Sequence, residues 1–276
     1  MHDFESFGSD ETSIENKLVC RSCKVALSES RLPGIDYALN PYDGCAHDCV
    51  YCYAPFISRR ERQHWKNVIV KKNLLKLLRF EAPKKRGIIG LSTITDPYQP
   101  IEERLRLTRH CLEILVRNDA DITILTKSHI ITRDIDLLKQ LSKVEIGITI
   151  TTVDDDMARI FEPGAPPPSR RLRALKELND ANFDTYVLIG PVMPFFNELD
   201  FIKLAKSIYA TGCSRVIIDR MRFKQGMMEY LHSRLHCFEF WQNLQLSLES
   251  IDYLQNLEKI VGKICEGYGL KVQKAF

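Results

Sequence analysis

The chain has 276 residues, an apolar fraction of 45%, a charged fraction of 27% and a net charge of +3. This is the composition of a soluble globular protein long enough to bury a sizeable core. The charge is too small to argue for a nucleic-acid partner by itself. No uninterrupted apolar stretch can span a bilayer, since the run from Tyr186 to Phe196 is broken by Pro191 and Pro194.

Residues up to about Asn16 are polar and acidic, which predicts disorder, and residues 1–25 read as an N-terminal extension. Met1 to Glu5 offer neither a basic nor an apolar signal region, so no secretion signal and a cytoplasmic location are expected. In that reducing compartment nine cysteines point to metal or redox chemistry instead of disulfides. Cys20 and Cys23 form a knuckle-like pair that suits zinc or an auxiliary iron centre only if two more ligands join it; otherwise they are reduced thiols.

The most informative segment is Asn40-Pro41-Tyr42-Asp43-Gly44-Cys45-Ala46-His47-Asp48-Cys49-Val50-Tyr51-Cys52-Tyr53-Ala54. Its spacing lets one short loop present Cys45, Cys49 and Cys52 to a single iron–sulfur cluster. A cubane cluster normally takes four cysteines, so one iron would stay open to another ligand. The competing reading is a zinc site completed by His47, which otherwise tunes the cluster or lies in a surface turn.

Strands and helices then alternate. Strands are predicted at Gly87–Leu91, Asp121–Leu125, Val144–Thr151, Tyr186–Ile189 and Val216–Ile218, with a short one near Leu270–Val272. Helices are predicted from Ile101 to Arg117, from about Thr132 with Asp134 and Asp136 in the first turn, from Ser169 to Asn179, and from Asn197 to Ala210, stopping at Gly212. Asp154-Asp155-Asp156 reads as a further helix start. Cys111, Cys213 and Cys265 fall in apolar periodic patterns and read as core. The last fifty residues read as mainly helical.

This alternation means βα units around a parallel sheet. About six units are counted, which favours an incomplete α/β barrel over a doubly wound sheet. Residues 26–225 form the core and 226–276 a helical extension. Basic clusters at Arg59–Arg62, Lys84–Arg86 and Arg170–Arg173 read as solvated faces or as a phosphate-binding surface.

The C-x3-C-x2-C motif resembles the signature of radical S-adenosylmethionine (SAM) enzymes. Leu27–Tyr42, Thr95-Asp96-Pro97-Tyr98-Gln99-Pro100-Ile101-Glu102, Thr126-Lys127-Ser128 and Glu162-Pro163-Gly164-Ala165-Pro166 extend the resemblance to the spore-photoproduct-lyase-like branch, over residues 25 to 225. It implies a partial (βα)6 barrel of the TIM type with the active site at the carboxyl ends of the strands. It also implies a [4Fe-4S] cluster on Cys45, Cys49 and Cys52, SAM on the open iron, and an electron donor such as flavodoxin or ferredoxin.

By the same resemblance Tyr51 lies near the adenine, and Thr93, Thr95 and Asp96 receive the methionine amino group. Lys127 or Arg171 pairs its carboxylate, Thr149 and Thr151 contact the ribose, and backbone around Val192 receives adenine. The expected function is reductive SAM cleavage, with a 5′-deoxyadenosyl radical acting on an unidentified substrate, nucleic acid being the leading candidate. The alternatives are DNA photoproduct repair and a non-catalytic iron–sulfur or zinc interaction protein. Repair is disfavoured because Thr93 stands where photoproduct lyases carry a hydrogen-donor cysteine, and a hydroxyl O–H bond is too strong to donate readily.

Overall fold

The structure is a computed structural model that describes residues 18–58, 60–194 and 196–275. The segment expected to be disordered, before Asn16, and Arg59 lie outside the described residues. Eight strands form the main sheet: β1 Leu27–Glu29, β2 Tyr37–Leu39, β3 Ile88–Leu91, β4 Asp121–Thr126, β5 Val144–Thr149, β6 Asp184–Val192, β7 Arg215–Arg220 and β8 Lys271–Lys274. Their order in the sheet is their order in the chain. β1 pairs antiparallel with β2, and every later neighbour is parallel.

Parallel neighbours need a crossover on one face, and right-handed crossovers curl such a sheet toward a barrel. The six strands β2–β7 are thus the expected partial (βα)6 barrel, within a mixed α/β sheet that β1 and β8 extend at its edges. The strands are apolar where they face the core: Ile122, Ile124, Ile146, Ile148, Val187, Ile189, Val216 and Ile218 are all buried.

The helices used below are α1 Leu74–Glu81, α2 Ile101–Leu105, α3 Leu107–Val116, α4 Asp155–Phe161, α5 Pro168–Asp180, α6 Glu198–Tyr209, α7 Met227–Leu235, α8 Trp241–Glu249 and α9 Ile251–Gly267. Two expectations need correction. The helix predicted from Ile101 to Arg117 is broken at Arg106, which is left-handed at φ 51°. The buried Glu102 carboxylate accepts the Thr108 and Arg109 amides at 2.9 and 3.3 Å, so a side chain from α2 caps α3. The segment after β4 begins as a 3₁₀ turn, His129–Asp134, started by Ser128 accepting the Ile130 amide. Asp134 there is fully buried and paired, and so does not serve as an exposed dipole partner.

Other local signals hold. Asn197 and Asp200 form a capping box on α6, Asp154 caps α4, and Gly212 is left-handed at φ 86°. Cys111, Cys213 and Cys265 are core residues. Val19–Arg21, Ile69–Lys71 and Tyr42–Asp43 form a small separate sheet that leads into the cysteine loop. Among the described residues no helix is long and apolar enough to cross a membrane.

Candidate functional site

The cysteine loop follows β2 and crosses the carboxyl ends of the parallel strands. It is gripped by backbone and side chains from three later segments. Gln99, fully buried after β3, accepts the Ala46 amide at 2.8 Å and donates to the Gly44 carbonyl at 3.1 Å. The Trp65 carbonyl accepts the Cys45 amide at 3.0 Å, and the Phe161 carbonyl accepts the Val50 amide at 2.8 Å. The Gly164 amide donates to His47 at 2.9 Å, and a Cβ on Gly164 would run into the Ala46 carbonyl oxygen. Glycine is therefore required where the loop after β5 touches the cysteine loop.

Cys45 and Cys49 are buried and Cys52 is half-buried. Burial pushes all three thiols up, Cys45 to about 12, and each thiolate would feel the others. Backbone amides of His47 and Asp96 lie against the Cys45 sulfur and that of Ala54 against Cys52, while Lys127 is the cation beside Cys49. A desolvated trio of thiols ionises readily only when a cation or cluster supplies the compensating charge.

That donor set fits an iron–sulfur cluster. Among the described residues no three His, Cys, Asp or Glu side chains close on a single-ion site. His47, which the zinc reading needs as its fourth ligand, is 1% exposed, with Nδ1 3.3 Å from Asp96 Oδ2 and Nε2 buried without a hydrogen-bond partner. It is not a surface-turn residue. Cys23 donates to Asn73 Oδ1 at 3.4 Å and Cys20 is exposed, as reduced thiols would be.

Beside the loop, a buried carboxylate gathers residues from four elements. Glu162, at the end of α4, accepts from the Tyr51 hydroxyl and from Thr151 Oγ1, the latter at 3.2 Å. Arg171 of α5 meets its other oxygen at 2.5 Å, with both side chains fully buried. Lys127 Nζ stands 4.0 Å from Glu162 and 5.6 Å from the centre of the Tyr51 ring. Arg171 also donates to the Pro166 and Thr149 carbonyls at 2.7 and 3.2 Å.

A second carboxylate, Asp96, accepts Thr126 Oγ1 at 2.6 Å, the Tyr98 amide at 2.9 Å and the Lys127 amide at 2.8 Å. Burial alone would raise the Asp96 carboxyl, but His47 and these donors outweigh it and hold the group at about 2.

The structure thus brings Tyr51, Lys127, Thr151 and Arg171 onto Glu162, with Thr149 joined through its carbonyl. Thr93 lays its methyl over Gly90, and Val192 lies in the apolar core at the end of β6. Thr95 Oγ1, Ser92 Oγ and Asn40 Oδ1, all just beyond β2 or β3, are buried without a hydrogen-bond partner. An unmet buried polar atom costs about 1–3 kcal/mol, which a polar ligand reaching these atoms would relieve. The hub residue Glu162 and the loop staple Gln99 carried no individual signal in the sequence beyond their place in the quoted segments.

Three arginines of the basic clusters turn inward. Arg60 is spent on the Asp43, His64 and Asn67 carbonyls, and Arg62 on Asp48 and the Cys49 carbonyl. Arg171 is buried, whereas Arg170 and Arg173 of the same cluster, and Lys84 and Arg86 of the second, are exposed.

An α/β partial barrel with a cysteine loop over its strand ends defines the class of protein. Residues 39–208 match the Radical SAM superfamily. An uncharacterized protein of Methanocaldococcus jannaschii is 34% identical over 186 residues, 65% of this chain and 69% of that one. A radical SAM Nalpha-GlyT isomerase of Pseudomonas phage M6 is 27% identical over 202 residues, 70% of this chain and 42% of that one. Spore photoproduct lyase with bound AdoMet and dinucleoside spore photoproduct superposes with a TM-score of 0.68 at 14% identity, covering 94% of this chain and 82% of that one, a likeness of fold. The chain belongs to the radical SAM superfamily and is an enzyme of that class.

Proposed function

We propose that Cys45, Cys49 and Cys52 hold a [4Fe-4S] cluster that binds SAM at its open iron. When bound and reduced, the cluster supplies the electron that breaks a SAM carbon–sulfur bond, and the 5′-deoxyadenosyl radical so released takes hydrogen from substrate. The observation that carries this reading is the buried thiol trio, held at the strand ends beside polar atoms with no partner of their own.

The residues divide the work. Gln99, Gly164 and the Glu162–Tyr51 contact fix the loop over the barrel mouth and keep water from the thiols. Lys127, close to Cys49 and only loosely met by Glu162, is the cation placed to receive the SAM carboxylate. Arg171, fully engaged with Glu162 and two carbonyls, braces the site. Thr95, with its free hydroxyl, is better placed than the saturated Asp96 for direct contact with the methionine amino group. Thr93 and Thr149 border the same mouth; Thr151 reaches it through Glu162, and the apolar Val192 would offer its backbone to the adenine.

The electron would come from an external one-electron carrier of the flavodoxin or ferredoxin kind. A nucleic-acid substrate is supported by the likeness to spore photoproduct lyase and by the exposed Lys84, Arg86, Arg170 and Arg173. Thr93 argues against photoproduct repair.

The test is anaerobic reconstitution of the wild type and Cys49→Ala. The wild type is expected to take up about four irons per chain, to change its electron paramagnetic resonance spectrum on adding SAM, and to release 5′-deoxyadenosine under reduction. Cys49→Ala should lose all three. Release of 5′-deoxyadenosine at wild-type rate by the variant would remove the cysteine motif from the mechanism.

A further inference from the structure

Helix α7 has two working faces. Successive residues turn by about 100° along an α-helix, so Tyr230 and Arg234 share one side while Met228, Glu229 and His232 share the opposite one. The first side docks on the cysteine loop. Arg62 lies over the Tyr230 ring at 4.2 Å, Phe56 meets the same ring edge-on at 6.1 Å, and Arg234 reaches Asp48 at 3.4 Å. The second side lines an open cavity of about 560 Å³, closed by α8 and by Phe223 in the segment after β7.

The lining has a definite chemistry. Trp241, Phe223 and His232 supply ring surface, His232 meeting Trp241 edge-on at 5.5 Å. Glu229 and Glu249 are exposed at the rim, and Glu249 takes only the Gln245 amide, at 3.2 Å. Among the described residues no Lys or Arg lines the cavity, although the chain as a whole carries +3. Aromatic faces attract cations through their quadrupole, and two uncompensated carboxylates add to that attraction. The same carboxylates repel phosphodiesters, so this cavity does not suit a nucleic-acid backbone.

We propose that the cavity between α7 and α8 binds an organic cation, an alkylammonium group whose stem lies on Trp241 and Phe223 and whose charge is met by Glu229 and Glu249. A group held there is separated from the cysteine loop by the width of α7, about 10–12 Å with its side chains. It is therefore an anchoring site distinct from the barrel mouth. The site stands whether or not the cluster is present.

The experiment is isothermal titration of the full chain, without reconstitution, against four probes: cadaverine, Nα-acetyl-lysine amide, the uncharged five-carbon alcohol 1-pentanol and a single-stranded oligothymidylate. Cadaverine and the lysine amide are expected to bind and pentanol is not. Tighter binding of the lysine amide identifies a peptidyl lysine as the source of the cation, and tighter binding of cadaverine a free polyamine. Glu229→Gln or Glu249→Gln should each weaken cation binding about threefold and the pair about tenfold. Both positions are exposed on helices, and near-identical circular dichroism would show that the variants fold. The proposal is overturned if pentanol binds as well as cadaverine, if the double variant binds cadaverine unchanged, or if the oligonucleotide displaces cadaverine.

Discussion

The cysteine loop separates two regions that treat charge in opposite ways. On the β3–β5 side, Glu162 and Arg171 are paired with no exposed surface, and Glu102 and Asp134 are equally buried, met by Arg133 and Arg109. On the α7 side, Arg234 meets Asp48 while 37% exposed, and Glu229 and Glu249 stand at an open rim. Buried pairs are costly to assemble and costlier to break, whereas exposed pairs contribute little either way. The first region is accordingly a fixed frame that sets where the thiols and Lys127 stand. The second is a surface free to meet something that arrives.

The hardest way to break this contrast is Glu162→Ala. It strands the buried Arg171 guanidinium and two hydroxyl donors, and should cost about 3–5 kcal/mol. In a chain of this size that lowers the melting temperature by roughly 10 °C, read by circular dichroism. Glu162→Gln keeps an acceptor for Tyr51 and Thr151 and should lose distinctly less. A Glu162→Ala loss under about 1 kcal/mol would mean that water already reaches the pair, and the fixed-frame view would fall.

Next in size is Gly164→Ala. The added carbon meets the Ala46 carbonyl, backbone against backbone, so no flexible side chain can yield. The loop after β5 has to lift, at a cost of about 1–3 kcal/mol. Iron retained after reconstitution should drop with it. Wild-type iron content in a folded variant would show that this contact does not hold the cysteine loop.

How much of this was legible beforehand follows the same division. The six βα units could be read because each strand and helix carries its own period, and the cysteine loop because its three cysteines are close in sequence. The break at Arg106 could not, because its cause is the Thr108 amide donating back to a Glu102 carboxylate that is buried. Glu162 was hidden for a related reason: Tyr51 lies 111 residues away, and nothing local distinguishes an inward glutamate from a solvated one. Arg60 and Arg171 show the reverse, since each belongs to a run that reads as a basic surface and yet turns inward. That Lys127 and Asp96 stand beside the cysteine loop could be expected, but not that Asp96 is saturated by protein donors.

A smaller effect is expected from the docking side of α7. Arg234→Ala removes a partly exposed bond to Asp48 and a 2.6 Å bond to the Tyr230 hydroxyl. The expected loss is about 0.5–1 kcal/mol, and the ion-pair share of it should fade in high salt. Chemical denaturation at low and high salt measures it. A loss above about 2 kcal/mol that ignores salt would make α7 part of the frame.

The finest comparison lies within one residue. Arg109 reaches buried Asp134 at 2.9 Å and, through its other nitrogen, Asp136 at 2.7 Å with 58% of that side chain exposed. Its hydrogen bonds hold the Asp136 carboxyl at about 2, below the ordinary 3.8. A depressed folded-state pKa adds stability that is fully present above the ordinary value and disappears as pH falls through the lowered one. Asp136→Asn should therefore cost a few tenths of a kcal/mol near neutrality, since solvent screens so exposed a pair. The difference from wild type should close between about pH 4 and pH 2. Asp134→Asn, which removes charge from the same guanidinium in a site with no exposed surface, should cost several times more at neutral pH. If the two asparagine variants were equally mild, burial would not be what distinguishes the two regions, and their contrast would reduce to the number of contacts each charge happens to make.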